Sequence, residues 1–378
     1  MVRLKPKSIM TSVLRLSLLI CSAFILYNLF PTLLRFGDYL SQNHPFSGQD
    51  LVEQDFVPTP KELACLQGLP LPGETSPGGK AADEAPIPNV VNFIFFQKVP
   101  PRSHQGDFGF LNYLAVRSAI VSLKPQRIYI HYGFSSPSIS RHRLANDNED
   151  AESHHLIFNN PWIRRLKPHV ELKRYTKPID HSLKHQEHLA DRVRLEILLE
   201  HGGIYLDLDA FALRPFAKAL EPPAPHDAVL GYEGGNRAGL CNAVIAARAN
   251  SSFIRRWLTT YDSVDLNKEW NYHSVILPKE LASEHPDEIC ELPPDAFLWP
   301  TWTWGHVRWM HEPLSSDEAE YWQGRIRHFG GSLFKNQLVY HAWSQMSRYR
   351  YLKRLTPDVI RREDTRFNLL MRRFLEEN

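Results

Sequence analysis

The segment "DRVRLEILLEHGGIYLDLDAF", residues 191 to 211, limits the folds open to this chain more than any other stretch. Its first half repeats apolar residues at helical spacing, and its second half alternates as a strand does. Gly202 and Gly203 stand between the halves, where a left-handed cap ends a helix. A helix passed by two glycines straight into a strand is an α/β connection. Asp207 and Asp209 fall at the far end of that strand. Ligands of open α/β sheets bind beyond the carboxyl ends of strands, so the paired carboxylates mark a candidate site.

The rest of the chain repeats the alternation. "VVNFIFF" (90 to 96) is a nearly unbroken apolar run of strand length, as expected of a strand covered on both faces. "FGFLNYLAVRSAIVSLKP" predicts a helix with Leu111, Leu114, Ala115, Ser118, Ala119 and Ser122 on one face, ended by Pro125. "RIYIHYG" and "HVELKRY" predict strands, "SLKHQEHLADRVRLEILLEHGG" a long helix, and "IYLDLDAFAL" the strand after the glycine pair. Beyond residue 225, "DAVLGYE" and "NAVIAAR" predict strands and "SFIRRWLTTYDSV" a helix. The expected fold is α/β with a mainly parallel sheet, in one catalytic domain without internal repeats.

No charged residue occurs from Leu16 to Leu34, whereas Arg3, Lys5, Lys7 and Arg15 precede that run. Its length just suffices to cross a bilayer. The positive-inside rule then keeps the N-terminus cytosolic and translocates everything after Phe36. A cleaved signal peptide is the alternative, but Asn28, Phe30 and Pro31 give no small-residue cleavage site. Residues 37 to 86 are rich in Pro, Gly and small polar residues, the composition of a linker. The expected division is a cytosolic tail (1–15), a membrane anchor (16–34), a stem (35–86), a catalytic domain (87–350) and a helical C-terminal tail (351–378). Of the four cysteines, Cys21 lies in the anchor run; among the others, Cys241 and Cys290 both fall in the folded part and are the expected pair if any forms. Asn250-Ser251-Ser252 is a glycosylation sequon. The net charge of +2, with Lys and Arg spread along the chain, leaves no basic footprint for nucleic acid, and none is expected as a partner.

Two carboxylates one residue apart can reach one divalent ion, and oxygen ligands suit Mg²⁺ or Mn²⁺. Asp191 and Arg194 precede them on one helical face, three residues apart. Together, Asp191, Arg194, Gly202, Gly203, Tyr205, Asp207 and Asp209 match in identity and spacing seven positions of the pattern A-x-S-D-x-x-R-Y, short helix, G-G-x-Y-x-D-x-D. By these residues the chain resembles the Golgi glycosyltransferases with a DXD sugar-binding region, the group of the fungal initiating α-1,6-mannosyltransferase and the animal α-1,4-galactosyltransferase. It departs from them at Leu195, where an aromatic is usual, and it lacks the Gly-Pro element of the later helix region.

The resemblance implies a GT-A fold, a nucleotide-sugar donor, a divalent metal, and transfer with retention at the anomeric carbon to a glycan or glycolipid in the Golgi lumen. It implies that Asp209 binds the metal, that Asp207 shares metal and ribose contacts, and that Asp191, Arg194 and Tyr205 contact the donor. His341 in "LVYHAWSQ" resembles the family's late H-x-W segment and is the third candidate metal ligand, since imidazole suits Mn²⁺; a buried structural histidine is the alternative. Trp343 beside it is expected to pack. Asn242 falls near a family asparagine and either contacts the donor or caps a turn. Trp299, Trp302, Trp304 and Trp309 divide between core and an acceptor platform. No G-x-S-x-G, H-E-x-x-H, Walker or dinucleotide fingerprint is present. Two rival functions remain: a mannosyltransferase acting on a sphingolipid, and a catalytically silent binder of nucleotide sugar or glycan.

Overall fold

A computed structural model describes residues 15, 17–30, 51–71, 86–98, 107–135, 154–176, 186–223, 225–261 and 271–376. It divides into two units, Met1–Leu51 and Val52–Asn378. In the first unit residues 17–30 are helical, and apolar side chains such as Leu18, Phe24 and Ile25 are exposed. Among the described residues no helix is long and apolar enough to cross a membrane; residues 16 and 31–34 of the expected anchor lie outside them.

Among its described residues the second unit carries nine strands: β1 (Val90–Lys98), β2 (Arg127–Ser135), β3 (Glu171–Arg174), β4 (Gly203–Leu206), β5 (Ala210–Ala212), β6 (Ala228–Glu233), β7 (Gly239–Ala247), β8 (Ile289–Leu292) and β9 (Val339–His341). Seven form one sheet in the order β3-β2-β1-β4-β7-β6-β8. Only β7 runs against its neighbours β4 and β6; the other pairings are parallel. β1 shows why its sequence is apolar throughout. Val91, Phe93 and Phe95 point into one core, with the helix Phe110–Leu123. Ile94 and Phe96 point into another, with the helices Gln186–His201 and Ser252–Thr260. Alternate residues thus feed two apolar layers. The helix Phe110–Leu123 ends at a left-handed Lys124, before the predicted Pro125 stop.

The glycine pair acts as expected. Gly202 and Gly203 have φ of +65° and +103°, and a Cβ on Gly203 would lie 2.5 Å from the Val90 carbonyl oxygen. The turn needs the conformation and the space that only glycine supplies.

Four expectations are corrected. "IYLDLDAFAL" is not one strand: β4 ends at Leu206, and after a turn β5 pairs with β9 in a separate two-stranded sheet. The stem assignment fails for residues 52–71. There Thr59 caps a helix, Pro60–Gln67, through a reciprocal box with Glu62, and Val52 and Cys65 are buried in the core of the second unit. The C-terminal stretch is no separate tail, because Phe367, Leu370, Met371 and Phe374 are buried in the same core.

Finally, the disulfide joins Cys65 to Cys290, with Cα atoms 5.5 Å apart, and Cys241 is a free buried thiol. β6 lies between β7 and β8, so Cys241 and Cys290 are two strand spacings apart, roughly 10 Å, beyond the reach of a bridge. The Cys65 bond closes a loop of 225 residues and should stabilise the fold by about 2–5 kcal/mol. Cys65→Ser should lower the urea midpoint accordingly, whereas Cys241→Ser should leave the bond intact by thiol counting. An unchanged midpoint in Cys65→Ser would show that the segment 52–71 is held by packing alone.

Candidate active site

The site forms where the chain leaves one sheet for the other. The Asp207 N–H still bonds to the Ala243 carbonyl on β7, at 2.9 Å. Leu208 and Asp209 then turn, and Ala210 enters β5 opposite His341 on β9. The Ala342 N–H donates to the Asp209 carbonyl at 2.9 Å. This short second sheet brings His341 beside two carboxylates more than 130 residues earlier.

Each carboxylate has one oxygen engaged by the protein and one facing the histidine. Asp207 Oδ1 accepts from the Tyr205 hydroxyl at 2.6 Å and pairs with Arg194 Nη1 at 3.2 Å. Its Oδ2 lies 4.0 Å from His341 Nε2. Asp209 Oδ2 accepts from the Ser344 backbone N–H at 2.8 Å, and its Oδ1 lies 3.0 Å from His341 Nε2. His341 Nδ1 is buried without a protein hydrogen bond, so Nε2 is the nitrogen aimed at the carboxylates. One oxygen of each aspartate and a histidine nitrogen all lie within 4.8 Å of one another. Ligands on a single ion with bonds of about 2.1 Å lie at most about 4.2 Å apart, so closing the set takes only a few tenths of an ångström.

Burial pushes the Asp209 carboxyl up, but His341 and the Ser344 N–H outweigh that and hold it well below the ordinary carboxylate range. Asp207 is raised, chiefly by burial, with the Asp209 charge adding to it and Arg194 opposing. Burial also pulls the His341 imidazole down, and Asp209 and then Asp207 more than reverse this, so its pKa is raised. The negative field that favours a proton on His341 favours a divalent cation at the same place.

Arg194 organises the second half of the site. Asp191 and Arg194, three residues apart on the helix, form an ion pair at 2.9 Å, and both are buried. Arg194 Nη1 also donates to the Asn242 carbonyl at 2.7 Å, and the guanidinium lies over the Tyr205 ring at 4.5 Å. Asn242 Nδ2 donates to Asp191 Oδ1 at 2.7 Å. Asn242 sits inside β7 rather than at a turn, and it holds Asp191 in place.

All seven residues singled out in the sequence, Asp191, Arg194, Tyr205, Asp207, Asp209, Asn242 and His341, line one cavity of about 540 Å³. The tryptophans divide. Trp299 is core, Trp304 is exposed, Trp309 packs beneath Arg366, and Trp302 lines the cavity. Trp343 does pack, its Nε1 donating to the Pro300 carbonyl at 2.8 Å, yet it also lines the cavity. Sequence reasoning missed Glu233, Cys241 and Ser344 in the lining. Ser344 directly follows "HAW", a position that only pairing of β9 with β5 could reveal.

Residues 127–229 match the family described as "Glycosyltransferase sugar-binding region containing DXD motif". "Glucan organizing enzyme 1" of Cryptococcus neoformans var. grubii is 33% identical over 301 residues, which cover 76% of this chain and 71% of that protein. The chain belongs to the DXD glycosyltransferases. The family match contains Asp191, Arg194, Tyr205, Asp207 and Asp209, while Asn242 and His341 lie beyond it. Solved glycosyltransferases are similar only remotely. The PaToxG glycosyltransferase is 17% identical over 53% of this chain and 71% of its own, with a TM-score of 0.36. The glycosyltransferase GlyE of Streptococcus pneumoniae is 11% identical over 76% of this chain and 60% of its own, also at 0.36. Neither places a residue of this DXD site.

Proposed function

We propose that this glycosyltransferase has a GT-A fold and moves a hexose from a UDP- or GDP-sugar to a glycan or glycolipid, with retention, using Mn²⁺ or Mg²⁺ bound by Asp207, Asp209 and His341. The observation that carries this reading is the convergence of those three side chains, from two distant segments, beside a buried arginine. A divalent ion there supplies charge to offset the negative charge that develops on the departing diphosphate. Arg194, already held by Asp191, Asp207 and the Asn242 carbonyl, stands ready to meet phosphate oxygens without reorganising. Tyr205 fixes one Asp207 oxygen and leaves the other facing His341. The name of the Cryptococcus relative associates that protein with glucan, which agrees with a saccharide acceptor. The uncharged run from Leu16 to Leu34, preceded by basic residues, supports a single-pass anchor with the catalytic unit in the Golgi lumen. The exposed Asn250 at a turn, with a φ of 61°, suits a lumenal sequon.

Screening the full chain against UDP- and GDP-hexoses with Mn²⁺ tests the reading. Donor hydrolysis or transfer in one of them is expected, and tight donor binding without turnover would mark a binder instead. His341→Ala should raise the Mn²⁺ concentration for half-maximal activity by at least about tenfold, the loss that follows even from outer-shell changes. The donor requirement at saturating metal should rise less. An unstable variant with unchanged metal dependence would assign His341 to the core.

A further inference from the structure

The metal and phosphate contacts leave the outer end of β6 unassigned. Glu233 is the last residue of that strand and lines the cavity half-buried. Its Oε1 accepts from the Trp302 indole N–H at 2.9 Å, and the Cys241 thiol lies beside it. Trp302 and Cys241 line the same cavity. Among the described residues no cation pairs with Glu233, whereas Asp191 and Asp207 are both held by Arg194. A partly buried carboxylate without a cation is costly, and burial pushes its pKa up.

The sheet fixes its place relative to the DXD turn. Asp207 bonds to Ala243 of β7 on one side, and Glu233 pairs with Gly239 of β7 on the other. Glu233 therefore stands across β7 from Asp207 and four β7 residues further along, within the same cavity. A donor whose diphosphate lies at Asp207, Asp209 and His341 has Glu233 and Trp302 in the same cavity to meet its sugar.

Resting on the donor reading above, we infer that Glu233 recognises the transferred sugar, its carboxylate accepting hydrogen bonds from hydroxyls of a neutral hexose and excluding a uronic acid by charge. Trp302, tethered to that carboxylate, offers an apolar surface to the ring carbons. Hydrogen bonds to a charged acceptor are the strong class, and a site built to satisfy hydroxyls discriminates against ligands that cannot supply them.

The test compares binding to the full chain with Mn²⁺ for UDP, UDP-glucose, UDP-galactose and UDP-glucuronate, and for GDP and GDP-mannose. In the wild type the preferred hexose nucleotide should bind more tightly than its nucleoside diphosphate, and UDP-glucuronate more weakly than UDP-glucose. Glu233→Gln should weaken the preferred hexose nucleotide about tenfold, leave the nucleoside diphosphate within twofold, and narrow the gap to UDP-glucuronate. Equal losses for nucleotide and nucleotide sugar would make Glu233 structural and overturn the inference. Trp302→Phe keeps the carboxylate and removes its N–H donor; if it reproduces the Glu233→Gln profile, the loss comes from releasing the indole and the inference also falls. A wild type that binds neither nucleotide would overturn the donor reading itself, and this inference with it.

Discussion

Asp209→Asn should reduce transfer on the order of 10²- to 10³-fold, the range measured when one pre-organised charge-stabilising contact is removed, and leave the fold intact. Asp209 faces His341 with one oxygen and is anchored by the Ser344 N–H through the other. An amide keeps the volume and can still accept from Ser344. It removes one negative charge and is a poorer ligand for a hard cation. Thermal unfolding should therefore shift little while turnover collapses, and excess Mn²⁺ should restore part of it. Turnover above a tenth of wild type would remove Asp209 from the metal site. Asp207→Asn should also be severe, but one of its oxygens already serves Tyr205 and Arg194, so part of its loss should appear as lost stability.

Much of this site is local in sequence, which is why it can be read there. Asp191 and Arg194 share a helix, and the glycine pair then delivers Tyr205 on a short strand with Asp207 and Asp209 in the turn directly after it. Helical and strand periodicities place such residues within a few ångströms of one another before any tertiary contact is known. His341 was legible only through resemblance, because what brings it to Asp209 is the pairing of two three-residue strands. Segments that short carry no periodic signal. The same shortness hid the break in "IYLDLDAFAL", whose alternation continues through Asp207 and Asp209 although the chain changes sheets there.

The disulfide failed to show for a different reason. Choosing Cys241 assumed that Cys65 lay in a linker, and composition does suggest a linker around it. One capped helix of eight residues, buried through Ala64 and Cys65, overrides that local composition. Glu233 gave no signal at all, and Trp302 was one of four tryptophans that the sequence left divided between core and an acceptor platform. A glutamate ending a strand is ordinary, and its significance lies in a carboxylate that, among the described residues, has no cation paired with it and lines the same cavity as Asp207 across β7.

Arg194→Met should cost about 3–5 kcal/mol of stability at neutral pH, because breaking a buried ion pair leaves uncompensated charge behind. The guanidinium is 4% exposed and bridges Asp191, Asp207 and the Asn242 carbonyl. Methionine fills a similar volume, so little of the loss should come from a cavity. The pH dependence separates charge from packing. Asp207 already titrates above the ordinary 3.8, raised first by burial and opposed by Arg194; without Arg194 it must rise further. An acid whose folded pKa is raised contributes stability that is complete below its unfolded pKa and lost as pH climbs through the folded one. The deficit of Arg194→Met should therefore be smallest near pH 4 and grow toward pH 7.5 in urea melts. A packing defect would give the same deficit at both ends. Arg194→Lys retains the charge but cannot reproduce the fork that meets both carboxylates and a carbonyl, so it should recover part of the stability at neutral pH and little of the turnover. Full turnover in the lysine variant would show that a single positive charge is all the site requires of this position.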